Sequence, residues 1–209
     1  MINEIMIFKA LFCFVCGHLC GSVPSGLWIV KVLHGIDIRE YGSHNIGTTN
    51  VFRTVGTRTA LLVLLSDLFK GMLAVAVVNY FFNSHLLNVA AAIGALLGHN
   101  YSAFLGLKGG KGVATGLGLL IYLIPHIFFG TFGVWLLIVL STRYVSLGSI
   151  VASFCAPFLA WYFGYPVSYV GFAAFAAFFI ILRHSENIRR LLNGTESKIK
   201  PGNAADLKK

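Results

Sequence analysis

The sequence predicts an all-α, polytopic membrane protein with seven transmembrane helices. Three observations carry this reading: a greasy composition, long stretches without charge, and basic residues that fall on one side of the predicted crossings. Of 209 residues, 57% are hydrophobic and 11% are charged, whereas a water-soluble domain carries about 25% charged residues. Mean hydropathy is +0.80, the opposite of a disordered chain. Sixteen Lys and Arg against seven Asp and Glu give a net charge of +9. A basic excess can mark a nucleic-acid binder, but these cations lie between apolar runs, where the positive-inside rule puts them. No nucleic-acid partner is expected.

Four long stretches lack Asp, Glu, Lys and Arg: 10–30, 71–107, 112–142 and 144–182. A helix rises about 1.5 Å per residue and the hydrocarbon core is about 30 Å thick, so the first stretch is one span. It has no positive n-region and no A-x-A site, which reads as a spanning helix rather than a cleaved signal peptide. Its Cys13, Cys16 and Cys20 share a helical stripe. With Cys155 they read as small packing residues, since nothing nearby completes a redox or metal site. Gly17, Gly21, Ser22, Ser25 and Gly26 make small-xxx-small steps for close helix packing.

The second and fourth stretches are too long for one span. Asn83-Ser84-His85 and Gly164-Tyr165-Pro166 break them. The third breaks at Pro125, and here charge decides. Lys31, Arg39, Arg53 and Arg58, then Lys108 and Lys111, then Arg143, then seven cations from Arg183 onward all fall on one side only if 59–106, 112–142 and 144–182 each cross twice. With the first helix, that gives seven spans, the N-terminus outside and the C-terminus in the cytoplasm. Asp67 and Lys70, three apart inside the second span, read as a structural ion pair. Residues 1–196 form one membrane domain. Residues 197–209, polar and containing Pro201 and Gly202, read as a mobile tail or as an electrostatic tether to anionic lipid.

The polar residues concentrate at the predicted cytoplasmic ends. The densest stretch runs from Gly42 through Asn50, followed by Arg53. Hydroxyls, amides, flexible glycines and a cation together suit an oxyanion. Lys108-Gly109-Gly110-Lys111-Gly112 precedes an apolar helix, a ready anion site, though without Walker A spacing. The stretches 143–149 and 183–187 add donors on the same face. Four such segments predict a site for one or two phosphates at the bilayer surface. No H-x-x-x-x-D, G-x-S-x-G or H-E-x-x-H pattern occurs. No metal and no cofactor is expected. A phosphate or organophosphate transporter would want similar cations, but it would place them near the bilayer midplane, often in repeated halves.

In order, Gly21-Ser22-Val23-Pro24-Ser25-Gly26, Asp37-Ile38-Arg39, GSHNIGTTNVFR (42–53), GHNYSAFLGLKGGKGVAT (98–115), RYVSLGS (143–149) and RHSENIRRLLNGTE (183–196) closely resemble the bacterial acyl-phosphate-dependent glycerol-3-phosphate acyltransferase family (PlsY). The resemblance implies a seven-helix fold in the bacterial inner membrane with a cytoplasmic-side site. It also implies acyl transfer from acyl phosphate to glycerol 3-phosphate, giving lysophosphatidic acid. Carried over by motif position, Ser43, Arg53, Lys111, His184 and Asn187 are the implied catalytic residues. Thr49, Asn50 and Ser149 are implied substrate contacts, and Gly42, Gly109 and Gly110 would offer backbone N–H groups. Partners are the two substrates and membrane lipid. The family reads GSGN where this chain has Gly42-Ser43-His44-Asn45. His tolerates positive φ better than most residues, so the loop is expected to survive, and His44 is not assigned a catalytic role. Two proton acceptors stay open: His184, or an oxygen of a substrate phosphate.

Overall fold

In the computed structural model residues 4–203 are described, and every regular element among them is helical. Helices α1 (Glu4–Ser22) and α2 (Ser25–His34) form one broken rod. Pro24 breaks it, because proline lacks an N–H and disfavours helical backbone at the residue before it. A loop leads to the short α3 (Thr48–Val55), then to α4 (Thr57–Phe82) and α5 (His85–Asn100). A second loop precedes α6 (Val113–Leu123) and α7 (Pro125–Thr142). The chain ends in α8 (Val145–Tyr162), α9 (Val167–Arg183) and α10 (Ser185–Leu192).

Helix interruptions fall at all three places read from the sequence. Asn83 adopts φ 42° and donates its N–H to the Asn79 carbonyl at 2.9 Å, capping α4. Pro125 opens α7, where its missing N–H costs nothing. Gly164, at φ 70°, and Pro166 separate α8 from α9.

Among the described residues four rods are long and apolar enough to cross a bilayer: Glu4–His34, α4, α7 and α8. α9 joins them if it and α10, bent by 59° at His184, count as one. α5, at 16 residues, is shorter than the sequence suggests, and α6 has the 11 residues that fit before Pro125, or about 24 and 16 Å of rise. For α5 the reason is tertiary. α5 stops at Asn100 rather than near 106 because Ser102 turns the chain: its hydroxyl donates to the Ser22 carbonyl at 2.5 Å and accepts from the Phe104 N–H at 3.2 Å.

Glycines let the rods touch backbone to backbone. A methyl group on Gly17 of α1 would lie 2.1 Å from the Ala91 carbonyl oxygen, and one on Gly98 of α5 would lie 2.1 Å from that of His18. α4 and α6 do the same through Gly71 and Gly118, which face the Thr115 and Leu68 carbonyls. Such contacts hold helices together in lipid, where apolar burial drives nothing. One end of the bundle is a dense core around Leu119, Ile124, Ile127 and Phe172. Phe8, Phe69, Leu137, Phe154 and Phe178 stay exposed on the outer shell. At the other end Val30, Ile38, Ile46, Val51 and Val63 pin the loop before α3, and α3 itself, onto α2 and α4.

Lys70 Nζ lies 2.7 Å from Asp67 Oδ1 and donates to the Val23 carbonyl at 2.8 Å. The pair therefore ties α4 to the α1–α2 break, a structural task. The four cysteines are unpaired, and Cys20 Sγ donates to the Lys70 carbonyl at 3.3 Å.

Candidate active site

Between the loop before α3, α3 itself, α4, the start of α6, and helices α7, α8 and α10 lies a cavity of about 300 Å³. One end is polar. The other is walled by Leu64, Leu68, Leu117, Phe128, Phe132 and Trp135. A narrower groove shares Val113, Leu117, Trp135 and Ser149 with it and continues past Gly116, Ala152, Ala156, Ala173 and Ala176. The hydroxyls along this path bond their own helices: Thr131 Oγ1 donates to the Ile127 carbonyl, Ser149 Oγ to that of Val145 and Ser153 Oγ to that of Ser149. Their hydrogens are spent, so the groove presents hydrocarbon.

Ser43, Thr49, Asn50, Arg53, Lys111, Ser149, His184 and Asn187 all line the cavity. These residues come from four separate motifs, and the fold brings them together. Gly42, Gly109 and Gly110 do not line it.

The loop of residues 42–50 is built around Asn50, which is 2% exposed. Its amide donates to the carbonyls of Ile38, Tyr41 and Asn45 at 3.2, 3.0 and 2.8 Å, and its oxygen accepts the Ser43 N–H at 2.8 Å. That amide is committed to the loop, so the phosphate contact expected of Asn50 has no free donor. Gly42, at φ 61°, leaves room for it: a methyl there would lie 2.3 Å from Asn50 Oδ1. His44 takes φ 55° and turns its ring to the Arg39 carbonyl at 2.9 Å. It thus takes a left-handed backbone, the kind glycine adopts most freely, and stays out of the cavity. Arg39 pairs with Asp37 at 2.6 Å and also stays outside. Thr48 Oγ1, buried, has no partner among the described residues.

The glycine-rich loop works differently. Gly110 donates its N–H to the His99 carbonyl at 3.0 Å, so that group is not available to an anion. The carbonyls of Gly109 and Gly110 accept from Arg183 at 3.1 Å each. A methyl on Gly110 would strike the His99 ring at 2.0 Å, and one on Gly109 the His99 carbonyl oxygen at 2.2 Å. These glycines therefore serve close packing. What the loop delivers to the cavity is Lys111.

Lys111 Nζ donates to Asn187 Oδ1. Burial, together with the nearby Arg190, pushes its pKa down to about 8. Arg53 is also pushed down by burial, yet a guanidinium stays charged. It donates to the Ser197 carbonyl at 2.6 Å, and its Nε is buried with no partner among the described residues. His184 donates from Nδ1 to the Ile180 carbonyl at 2.7 Å, which leaves the Nε2 lone pair for the cavity. Burial and the Lys111 charge push its pKa to about 4, so the ring is neutral at pH 7.

Sequence reasoning missed Glu196, which is 6% exposed. It accepts from Ser146 Oγ at 2.7 Å, Asn187 Nδ2 at 2.8 Å and Arg190 Nε at 2.7 Å. Burial raises its pKa, but those hydrogen bonds and the Arg190 charge together hold it below the usual carboxylate range. Of the two carboxylates in the motif 183–196, the one at the site is therefore Glu196 rather than Glu186, the one near His184 in sequence, whose side chain is 89% exposed. Glu196 was visible only as the last residue of the motif 183–196. Gly194, at φ 68°, turns it back under α10. Among the described residues no three His, Cys, Asp or Glu side chains gather as metal ligands. The arrangement can hold anionic groups beside two cations, with an apolar path leading away.

Comparison with known proteins places the chain in a family. The model of the glycerol-3-phosphate acyltransferase family matches residues 11–194. A glycerol-3-phosphate acyltransferase of Synechococcus sp. (strain JA-3-3Ab) is 46% identical over 191 residues, covering 91% of this chain and 94% of that protein. One from Fusobacterium nucleatum is 41% identical, covering 91% and 99%. Two crystal structures of PlsY (YgiH), an integral membrane glycerol 3-phosphate acyltransferase, share the fold. The glycerol 3-phosphate form aligns with TM-score 0.86 at 40% identity over 91% of this chain and 96% of that one. The lysophosphatidic acid form aligns with TM-score 0.82 at 39% identity, over 90% and 94%.

Proposed function

The chain belongs to the glycerol-3-phosphate acyltransferase family, and from that premise we propose that it moves a fatty acyl group from acyl phosphate to glycerol 3-phosphate. It is an acyltransferase of phospholipid biosynthesis in a membrane. The product is lysophosphatidic acid and the co-product inorganic phosphate. The observation that carries the reading is the cavity itself, with Arg53 and Lys111 at a polar end and a hydrocarbon groove at the other.

Acyl phosphate is a mixed anhydride and already activated, so no covalent acyl-enzyme is required. The site has to bring two anionic groups together and offset their charge. Lys111, beside Asn187, faces the leaving phosphate. Arg53, with Ser43 and Thr49 nearby, takes the phosphate of glycerol 3-phosphate, whereas Ser149, its hydrogen spent on the Val145 carbonyl, lines the acyl groove instead of the phosphate contact expected of it. The acyl chain lies along Leu117, Ala152 and Ala156. The hydroxyl oxygen of glycerol 3-phosphate bonds to the acyl carbon, the carbon–oxygen bond to phosphate breaks, and the hydroxyl proton goes to an oxygen of the leaving phosphate. His184 at about 4 is a weaker base than a phosphate, whose second pKa is about 6. His184 Nε2 therefore orients the attacking hydroxyl rather than keeping its proton. Asn50 holds the loop that presents Ser43, and Gly42, Gly109 and Gly110 allow the backbone to pack.

The same reading has the chain cross the bacterial cytoplasmic membrane seven times, with the short α5 and α6 completing the count, the N-terminus outside and the site on the cytoplasmic face. The basic residues at one end support it. The donor is tested by offering purified protein glycerol 3-phosphate with either palmitoyl phosphate or palmitoyl-CoA. Lysophosphatidic acid is expected from the phosphate only. Product from the thioester, with the acyl phosphate untouched, would overturn the assignment.

A further inference from the structure

The chain leaves α10 at Leu192 and, beyond Glu196, runs without regular structure through residues 197–203. This is the described part of the stretch that the sequence reads as a mobile tail or lipid tether; residues 204–209 lie outside the described residues. Hydrogen bonds to its backbone seat it. The Ser197 carbonyl accepts from Arg53 at 2.6 Å, Ile199 donates its N–H to the Arg143 carbonyl at 2.8 Å, and Gly202 donates to the Phe52 carbonyl at 2.9 Å. The segment thereby ties α3 to the turn between α7 and α8. Ile199 lines the cavity, and Glu196, just before the segment, is held by three side chains. The family match ends at residue 194, so the segment lies beyond it.

We infer that Ser197–Gly202 is a strap across the polar end of the cavity, which positions Arg53 for the acceptor phosphate and keeps water from the acyl donor. This rests on the acyl-transfer reading above. A carbonyl oxygen orients a guanidinium without neutralising it, so the full charge of Arg53 remains for a phosphate, and its buried Nε has no other partner among the described residues. Water exclusion matters because water competes with glycerol 3-phosphate. In that side reaction the water oxygen bonds to the acyl carbon and the carbon–oxygen bond to phosphate breaks. One water proton goes to phosphate, and the other stays on the fatty acid or is lost to solvent.

Gly202 offers the handle. Its backbone meets α3 so closely that a methyl would lie 2.0 Å from the Arg53 carbonyl oxygen and 2.5 Å from its carbon. Gly202→Ala cannot seat there. The experiment compares wild type, Gly202→Ala and a chain ending at Glu196 in detergent micelles with palmitoyl phosphate and glycerol 3-phosphate. Lysophosphatidic acid and inorganic phosphate are measured in the same tube, and deuterium exchange is read at residues 197–203. Wild type should release one phosphate per lysophosphatidic acid. Both variants should release phosphate in excess and raise the KM for glycerol 3-phosphate about tenfold, the weight of one hydrogen bond to a charged group. Exchange at Ile199 and Gly202 should be fast in Gly202→Ala, and glycerol 3-phosphate should slow it in wild type. One-to-one release with an unchanged KM in both variants would overturn the strap, as would exchange in Gly202→Ala as slow as in wild type. Absence of lysophosphatidic acid from wild type would instead overturn the donor reading, and the exchange measurement would still judge the strap.

Discussion

Two glycine-containing loops border the cavity, and they use glycine for different ends. In the loop of residues 42–50, Gly42 makes room for the Asn50 amide, which gathers three carbonyls and leaves Ser43 and Thr49 facing the cavity. In the loop of residues 106–112, Gly109 and Gly110 press on His99 and are clasped by Arg183, and only Lys111 and Gly112 reach the cavity. Both segments read in sequence as cradles of N–H groups for an anion. A glycine reports that something comes close to the backbone, but the partner can be ligand or protein. Here it is a neighbouring side chain or helix in both loops.

The largest expected effect concerns the cations the loops deliver. Lys111→Ala and Arg53→Ala should each lower kcat/KM about 10²- to 10³-fold, as expected when a charge-assisted contact to developing phosphate charge is lost. Arg53→Ala should act mainly on the KM for glycerol 3-phosphate. Arg53→Lys should stay impaired, since an ammonium cannot reproduce a bidentate fork. Wild-type turnover in Arg53→Ala would remove it from the site.

A sharper test separates the loops themselves. Gly110→Ala should cost more than tenfold in activity because the new methyl strikes the His99 ring first, at 2.0 Å, a clash beyond what a packed site absorbs. Removing that ring, in Gly110→Ala with His99→Ala, should restore part of the activity relative to Gly110→Ala. Gly42→Ala should not be rescued by Asn50→Ala, since φ 61° strains the alanine regardless. Equal rescue, or none in either pair, would erase the distinction.

The pH profile should carry a smaller signature. With Lys111 at about 8, free enzyme loses a site cation as pH rises through that value, so kcat/KM should fall above about pH 8. Lys111→Arg, if active, should lack that limb. His184, at about 4, is already neutral between pH 5 and 7 and adds no limb there, so the limb near pH 6 is that of the substrate phosphates. The smallest effect belongs to Lys108→Ala. Lys108 is exposed and outside the cavity, so activity should stay within about twofold, as for a surface charge.

What was legible in the sequence follows the range of the interaction. The breaks at Asn83, Pro125 and Pro166 are set by local backbone preferences, and each was visible in its own few residues. The end of α5 was not, because it depends on a hydrogen bond between Ser102 and Ser22. In the site, Arg53, Lys111, His184 and Asn187 stood out as polar residues in a greasy chain. Glu196 did not, because its role needs Ser146 from α8, and nothing near it in sequence points there. Asn50 was visible as a polar residue, but whether its amide serves a ligand or its own loop is decided by carbonyls five to twelve residues away.

The central claim, that one cavity joins acyl phosphate and glycerol 3-phosphate without a covalent intermediate, is tested most directly in detergent micelles, where no compartment exists to transport across. Purified protein is given labelled glycerol 3-phosphate and palmitoyl phosphate, with Lys111→Ala as the control. The account predicts label in lysophosphatidic acid from wild type, at least about 10²-fold less from the folded Lys111→Ala protein, and no acylated protein in a quenched sample. Label that stays water-soluble with folded wild type, or acyl chain trapped on the protein, would contradict it.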